Sequence, residues 1–430
     1  MPDKKCLYKE RMESADSIAS MDSTSRKRVS AVGAGNVEKY AEKYLLSLPI
    51  MYLSLYNKFV VWDHFFRILV CKLIIHPSVS YGIFSIKTCK VVYILLKKQC
   101  KIMFGANYTN TETLTGINCF TVCAMSLLSS EDLVLVTTPE QGGHASIPII
   151  LNAIGVKYEP VPYNYSNYQI DYIKLNELCQ SHKYSHIIFC QSDVINPPDL
   201  KQINIPESMG IIYDSTQTLG LIATGIIPNP LLASNNIVLI GGSHKTLPAP
   251  SCGLIMTNNK LYEEKLQKHI TPDYLRNTQP NHSASLLLAL IEQEECGYEY
   301  QKLIIDMANM LGTELSRLGF NIAKLNHETF TSTHQLFLLM NEKEVNSFYL
   351  TAKQYNVTLN KKHKKLFNND GIRIGTQQIA RYNWNMPEIE ILAQLLYSIK
   401  VHDHAKIKEI RNILINKKIP HFTYEDISIK

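Results

Sequence analysis

None of the 10 cysteines of this 430-residue chain forms a Cys-x-x-Cys pair, and their spacing follows no framework. That argues against a metal-finger module and against a disulfide scaffold. Cys119 and Cys123 share one face of a predicted helix, so buried inert thiols in a reducing compartment are expected. Long apolar runs are missing too. The stretches 44–56 and 91–96 are apolar, but Lys58, Asp63, Arg67 and Lys72 lie between them, and no run reaches the roughly 18 apolar residues of a membrane span. The opening MPDKKCLYKERMESADS lacks the apolar segment of a secretory signal. The expectation is a cytoplasmic protein with no membrane association. Low-complexity tracts are also missing; with 45% apolar and 19% charged residues, a folded globular protein is the default. The net charge of +6 is spread along the chain. The basic clusters Lys361-Lys362-His363-Lys364-Lys365 and Lys97-Lys98 come without stacking aromatics, so they read as solvated faces rather than a nucleic-acid surface. A mildly basic surface also helps draw in anionic small molecules.

What the chain does contain is a regular alternation of elements. Its length suits one large domain and a smaller one. Residues 1–36 are polar and read as an arm. Residues 45–100 are rich in Tyr, Phe, Ile and Val without clean helical or strand periodicity, and only weak helices are assigned there. Further on, short β-branched runs at 133–138, 156–161, 186–190, 210–213, 237–240 and 253–257 alternate with helix-length segments such as 116–129, 143–154 and 171–181. Runs this apolar predict a mostly parallel sheet covered on both faces. After Pro280 the pattern predicts a long helix over about 284–317. Short strands near 334–340 and 371–374 flank a helix at 343–355, and another helix starts after Asn385 with Pro387 in its first turn. The predicted class is α/β, divided into an arm and divergent segment (1–100), a large α/β domain (101–283), and a linking helix with a small α+β domain (284–430).

The segment Ile240-Gly241-Gly242-Ser243-His244-Lys245-Thr246-Leu247-Pro248 follows a buried strand. Lys245 therefore stands at the carboxyl end of a parallel strand, where open α/β sheets bind ligands. Alone it would read as a loop lysine. Other parts that one cofactor, pyridoxal 5′-phosphate (PLP), requires recur at suitable places. Its aldehyde needs a lysine that can lose its proton. Its pyridine nitrogen needs a carboxylate, and Asp214 directly follows the apolar run Gly210-Ile211-Ile212-Tyr213. Its phosphate needs backbone N–H groups at a helix start, which Thr115-Gly116-Ile117-Asn118 offers. Its ring needs a flat partner, and His144 follows Gly142-Gly143. A substrate carboxylate needs a planar cation, and Arg373 lies on the short strand Gly371-Ile372-Arg373-Ile374-Gly375.

These segments resemble the serine hydroxymethyltransferase family, PLP enzymes of fold type I with an aspartate aminotransferase-like large domain. SHKTLPAP (243–250) resembles the family's Thr-His-Lys-Thr-Leu-x-Gly-Pro signature. DSTQTLGLIA (214–223) resembles its Asp-x-Ala-His-x-x-Gly-Leu-Ile-Ala segment, with the match continuing through Gly225 and Pro228-Asn229-Pro230. MFGANY (103–108) is similar to the stretch leading into its phosphate loop. DGIRIGT (370–376) is similar to the segment carrying its substrate arginine, and KYAEKY (39–44) to that carrying its tyrosine and acid/base glutamate. The resemblance implies that Lys245 bears the cofactor, with His244 beside it, and that Asp214 meets the pyridine nitrogen. It implies that His144 stacks on the ring and that Thr115 and Gly116 hold the phosphate. Arg373 would bind the substrate carboxylate. Tyr40 and Glu42 would reach a neighbouring subunit's site, implying a homodimer.

The departures are informative. Gln217 replaces a family histidine beside the cofactor, Cys190 a substrate-contacting serine, and Ser251 an arginine. Leu114 and Ile117 depart from the phosphate loop. The Gly-Gly-Gln-Gly-Gly loop expected near 272–281 and the Tyr-Tyr-Gly-Gly segment expected after Tyr44 are absent, and Pro139 and Lys362 fall at folate-contacting positions. These changes weaken the tetrahydrofolate half of the reaction more than the PLP half. They resemble the family's folate-independent relatives, the threonine aldolases and transaldolases, which also carry a histidine-containing segment near the position of His282. The expectation is reversible Cα–Cβ cleavage of serine or threonine to glycine and an aldehyde, with PLP as cofactor and folate doubtful. Aminotransferase-type chemistry and a non-catalytic paralogue acting as scaffold or regulatory partner remain as alternatives.

Overall fold

The computed structural model describes residues 86–418 apart from Asn277 and Asn383; Tyr40 and Glu42 lie outside the described residues. The chain opens on α1 (Ile86–Phe104), then β1 (Tyr108–Asn110), α2 (Gly116–Leu127), β2 (Leu133–Val136), α3 (Ser146–Ala153) and β3 (Lys157–Pro160). A small hairpin, β4 (Tyr163–Asn164) and β5 (Gln169–Ile170), precedes α4 (Tyr172–Gln180). Next come β6 (His186–Cys190), β7 (Gly210–Asp214), α5 (Leu219–Ala223), β8 (Ile237–Gly242), β9 (Gly253–Thr257) and α6 (Lys260–His269). The long helix α7 (Pro280–Arg317) leads to β10 (Gln335–Leu339), α8 (Glu342–Gln354), β11 (Asn360–Lys364), β12 (Asn369–Gly375), α9 (Met386–Lys400) and α10 (His404–Asn416).

The main sheet has seven strands in the order β1-β9-β8-β7-β6-β2-β3. From β8 to β3 every pairing is parallel, whereas β9 runs antiparallel to both β8 and β1. The central strands β6 and β8 are buried at every position, as a sheet covered on both faces demands. One core, with Leu135, Ile187, Ile211 and Leu239, packs against α1 and the first part of α7. The opposite core, with Val134, Ile188, Ile212 and Val238, packs against α2 and α3. Successive strand residues thus feed opposite cores, the period-2 signature of a strand.

Two features differ from the sequence expectation. The weakly patterned stretch ends in α1, a helix of 19 residues whose Val92, Leu95, Leu96, Cys100 and Phe104 form a buried stripe. Ile94 and Ile102 on its exposed face mask that periodicity in the sequence. Strand β1 is also unannounced, because 3 residues are too few to show an alternation.

Helix α7 joins the two cores: Ala284 to Ile291 belong to the large-sheet core, and Ile304, Met307, Ala308, Leu311 and Leu315 to a second. The second core lies under an antiparallel three-stranded sheet, β10-β12-β11. Asn341 and Glu344 form a capping box at the start of α8, and Asn385 and Glu388 do the same for α9, which satisfies backbone donors left free at a helix start. Among the described residues no helix is long and apolar enough to cross a membrane.

Candidate active site

Cys190, Asp214 and Ile240 stand in register on adjacent parallel strands, so the ends of β6, β7 and β8 open onto one crevice. The Lys245 loop is pinned on both sides. Ser243 Oγ donates to the Pro250 and Cys252 carbonyls at 2.6 and 3.1 Å, and the Cys252 amide donates back to it at 3.0 Å. Thr246 Oγ1 donates to the Gln217 carbonyl at 3.0 Å and accepts from the Gly220 amide at 3.1 Å. Lys245 between them is partly buried, with His244 next to it in the loop. Burial lowers its ammonium from the ordinary 10.5 to about 8. Arg373 and Lys362 push the same way, while Asp214 and Asp193 oppose. A lysine so tuned presents a substantial neutral fraction near neutral pH, as a carbonyl-capturing amine needs.

Asp214 is fixed through both oxygens. Oδ1 accepts from the Thr216 amide at 2.8 Å, and Oδ2 accepts from the Cys190 thiol at 3.0 Å. Burial, reinforced by the Asp214 charge, holds the Cys190 thiol well above its ordinary pKa, so it stays a protonated donor. Cys190, expected against the substrate, is buried, and its thiol lies on Asp214.

His144 reaches the crevice through a turn that only glycine permits. Gly142 has φ of +89°, and a Cβ there would lie 2.1 Å from the Asp193 carbonyl, a left-handed conformation and a close approach together. The Gly142 carbonyl accepts from the amides of Ser192 and Asp193 at 2.8 and 3.0 Å, so the same turn seats Asp193. The His144 amide donates to the Cys190 carbonyl at 2.8 Å, and Nδ1 accepts from the Ser146 amide at 3.2 Å. Burial lowers the His144 pKa; Asp214 and Asp193 oppose it, and Lys245 and Lys364 push the same way as burial. The lowered pKa favours the neutral imidazole.

Thr115 caps α2, its hydroxyl accepting from the Asn118 amide at 3.2 Å. The amides of Gly116 and Ile117 head the helix, where no carbonyl of the preceding turn can pair with them. A Cβ on Gly116 would lie 2.2 Å from Thr216 Oγ1 and 3.2 Å from the Gly242 amide; glycine lets the helix start close in on the end of β8. A lysine of lowered pKa, an anchored carboxylate, a flat imidazole ring and a bare helix start are groups suited to hold PLP, so the residues present fit that cofactor.

The opposite wall comes from the small sheet. Arg373 Nη1 donates to the Ser192 carbonyl and to Asp193 Oδ1, both at 2.7 Å. Asp193 is buried and also pairs with Lys362, whose Nζ is 2.9 Å from Oδ1, and with Lys364, whose Nζ is 2.5 Å from Oδ2. Burial alone would raise the Asp193 pKa, but Arg373, Lys364 and Lys362 outweigh it and hold the carboxyl below its usual range. This corrects the reading of Lys361–Lys365 as a solvated face. In β11 Lys361 and His363 are exposed, whereas Lys362 and Lys364 turn inward, the alternation of a strand. Asp193 carried no sequence signal beyond following β6.

Gln217, expected beside the cofactor, accepts at Oε1 from Gln335 Nε2 at 2.9 Å, which ties the end of β7 to β10. His334, not anticipated, is buried and held neutral by that burial and by the Arg373 and Lys245 charges. His282 pairs through Nδ1 with the Ser251 carbonyl at 2.8 Å, and the Ser251 hydroxyl donates to the Leu114 carbonyl at 3.1 Å, linking the start of α7 to the helix-start cradle. Among the described residues no cluster of His, Cys, Asp and Glu could hold a metal ion.

Residues 82–396 match the serine hydroxymethyltransferase family. Similar proteins include the serine hydroxymethyltransferases of Thermoplasma volcanium, 28% identical over 76% of this chain and 80% of that one, and of Methanothermobacter marburgensis, 26% identical over 76% and 79%. Among solved structures, an L-threonine transaldolase from Pseudomonas fluorescens superposes with a TM-score of 0.77 at 17% identity, covering 98% of this chain and 94% of that one; it shows the same fold. With the crevice built as PLP requires and the family matched over most of its length, the chain belongs to the serine hydroxymethyltransferase family of PLP-dependent enzymes.

Proposed function

We propose that the enzyme reversibly cleaves the Cα–Cβ bond of a β-hydroxy amino acid, serine or threonine, to give glycine and an aldehyde without requiring tetrahydrofolate. The observation that carries this is the opposition of Lys245 and Asp214 on one wall to Arg373 on the other, in a chain of this family. When bound, PLP supplies an electron sink for the pair left on Cα. The remaining work falls to the chain. Lys245 would hold the cofactor through Nζ, and its lowered pKa suits it to give up and take back a proton there. Asp214 keeps a proton on the pyridine nitrogen, with Cys190 and the Thr216 amide fixing its orientation. His144 covers a ring face, and Thr115 with the Gly116 and Ile117 amides holds the phosphate. Arg373 spends Nη1 on Asp193 and Ser192, leaving the Nη2–Nε edge to take the substrate carboxylate as a fork. Glu42, or a water, accepts the β-hydroxyl proton, with Tyr40 beside it. Both come from the neighbouring subunit of a cytoplasmic homodimer.

Folate independence is supported by the Arg373 wall. A pterin needs a flat, largely apolar slot with a few placed polar groups, and Lys362 instead brings a partly buried positive charge beside Asp193. The test is product analysis with holoenzyme. L-Threonine alone should give glycine and acetaldehyde in equal amounts. Fast serine cleavage that rises saturably with micromolar tetrahydrofolate would return the enzyme to hydroxymethyl transfer. Pyridoxamine phosphate and a keto acid would overturn C–C cleavage altogether.

A further inference from the structure

The charge count on the substrate wall does not close with an ordinary amino acid. Three cations, Arg373, Lys362 and Lys364, surround the single carboxylate of Asp193. Their side chains are only 19%, 14% and 16% exposed. One carboxylate offsets one of them, and the α-carboxylate bound at Arg373 offsets a second. One positive charge is left over, on the lysine side. Leaving a partly buried cation uncompensated is costly, and Arg373 alone would neutralise Asp193. Each ammonium also has three donors and gives Asp193 one. The two lysines act electrostatically on the reacting region: Lys362 on Lys245 and Lys364 on His144.

We infer that Lys362 and Lys364 recognise an oxyanion, a phosphate or a carboxylate, on the aldehyde half of the substrate. The inference rests on the cleavage reading above and names its substrate class. In the synthetic direction glycine loses one Cα proton, its Cα bonds the aldehyde carbon, and the former carbonyl oxygen takes up one proton, so no oxidant or further reactant is needed.

The experiment compares glycine additions to glycolaldehyde phosphate, glyoxylate and acetaldehyde with the holoenzyme. Wild type should favour one of the two anionic aldehydes over acetaldehyde in kcat/KM by about 10-fold or more, the scale of one charge-assisted hydrogen bond. The winner tells phosphate from carboxylate. The double variant Lys362→Met/Lys364→Met should lose that ratio, and Lys362→Arg/Lys364→Arg should keep most of it. Equal use of the three aldehydes by wild type, or a preference that survives the double Met variant, overturns the inference. If no aldehyde reacts, the cleavage reading fails separately. Titration calorimetry of holoenzyme with inorganic phosphate and with malonate then decides: saturable binding lost in the double Met variant upholds the anion site, and its absence in wild type removes it.

Discussion

The two walls of the crevice solve opposite electrostatic problems. On the large-sheet wall the contacts are few and one-to-one with neutral groups: Asp214 is held by a thiol and an amide, and Lys245 lies between two pinned hydroxyls. On the small-sheet wall three cations converge on one carboxylate. The first arrangement holds a fixed cofactor and lowers a lysine pKa by burial. The second keeps Arg373 in place while retaining a positive surplus. If Arg373 takes the substrate as proposed, cofactor binding and substrate choice are separable in this chain.

The largest predicted effect breaks the second wall. Asp193→Asn leaves three cations facing one another and should cost about 3 kcal/mol of stability, the low end for a broken buried pair because the cations keep some exposure. The Asp193 carboxyl is held below its usual range. Its contribution is therefore complete at neutral pH and fades only as pH falls through that lowered value. Thermal and denaturant melts of wild type and variant across pH check it. Asp214→Asn attacks the first wall: threonine cleavage should fall roughly 100-fold or more, the scale of removing one preorganised electrostatic group, with the fold intact by circular dichroism. Arg373→Lys keeps the charge but loses the fork, so glycine affinity should drop about 10-fold, near 1.4 kcal/mol. The absorbance of the resting cofactor should barely change. Burial pushes Lys245 to about 8, so cofactor-free protein should capture PLP faster as pH rises through about 8 and level off above it; a lysine at the ordinary 10.5 would keep accelerating. The smallest effect sharpens the boundary between the walls. Cys190→Ser keeps a donor to Asp214 and should change stability by about 1 kcal/mol or less and leave glycine affinity as it was. A marked loss of that affinity would put Cys190 against the substrate.

The large-sheet wall was legible because its residues sit at sequence-readable positions: Asp214 directly follows a continuous apolar run, Lys245 lies in the short loop after another, and Gly142-Gly143 announces the turn before His144. Arg373 stood out as the lone cation inside the short strand segment 371–375. The lysine half of the second wall was not. Lys361–Lys365 looks like a solvated charge cluster because its β-alternation is written in residues of one charge, with no apolar member to show which face turns in. Asp193 gave no signal since its partners lie more than 150 residues away in sequence. Helix α1 was obscured by exposed isoleucines, and β1 by its brevity.

The central claim is that Lys245 carries the cofactor. Borohydride reduction of the purified holoenzyme, followed by peptide mass spectrometry, tests it most directly. The account predicts one PLP-modified peptide, modified at Lys245, and none from Lys245→Ala. A reduced adduct on any other lysine, or none on wild type saturated with PLP, would contradict it.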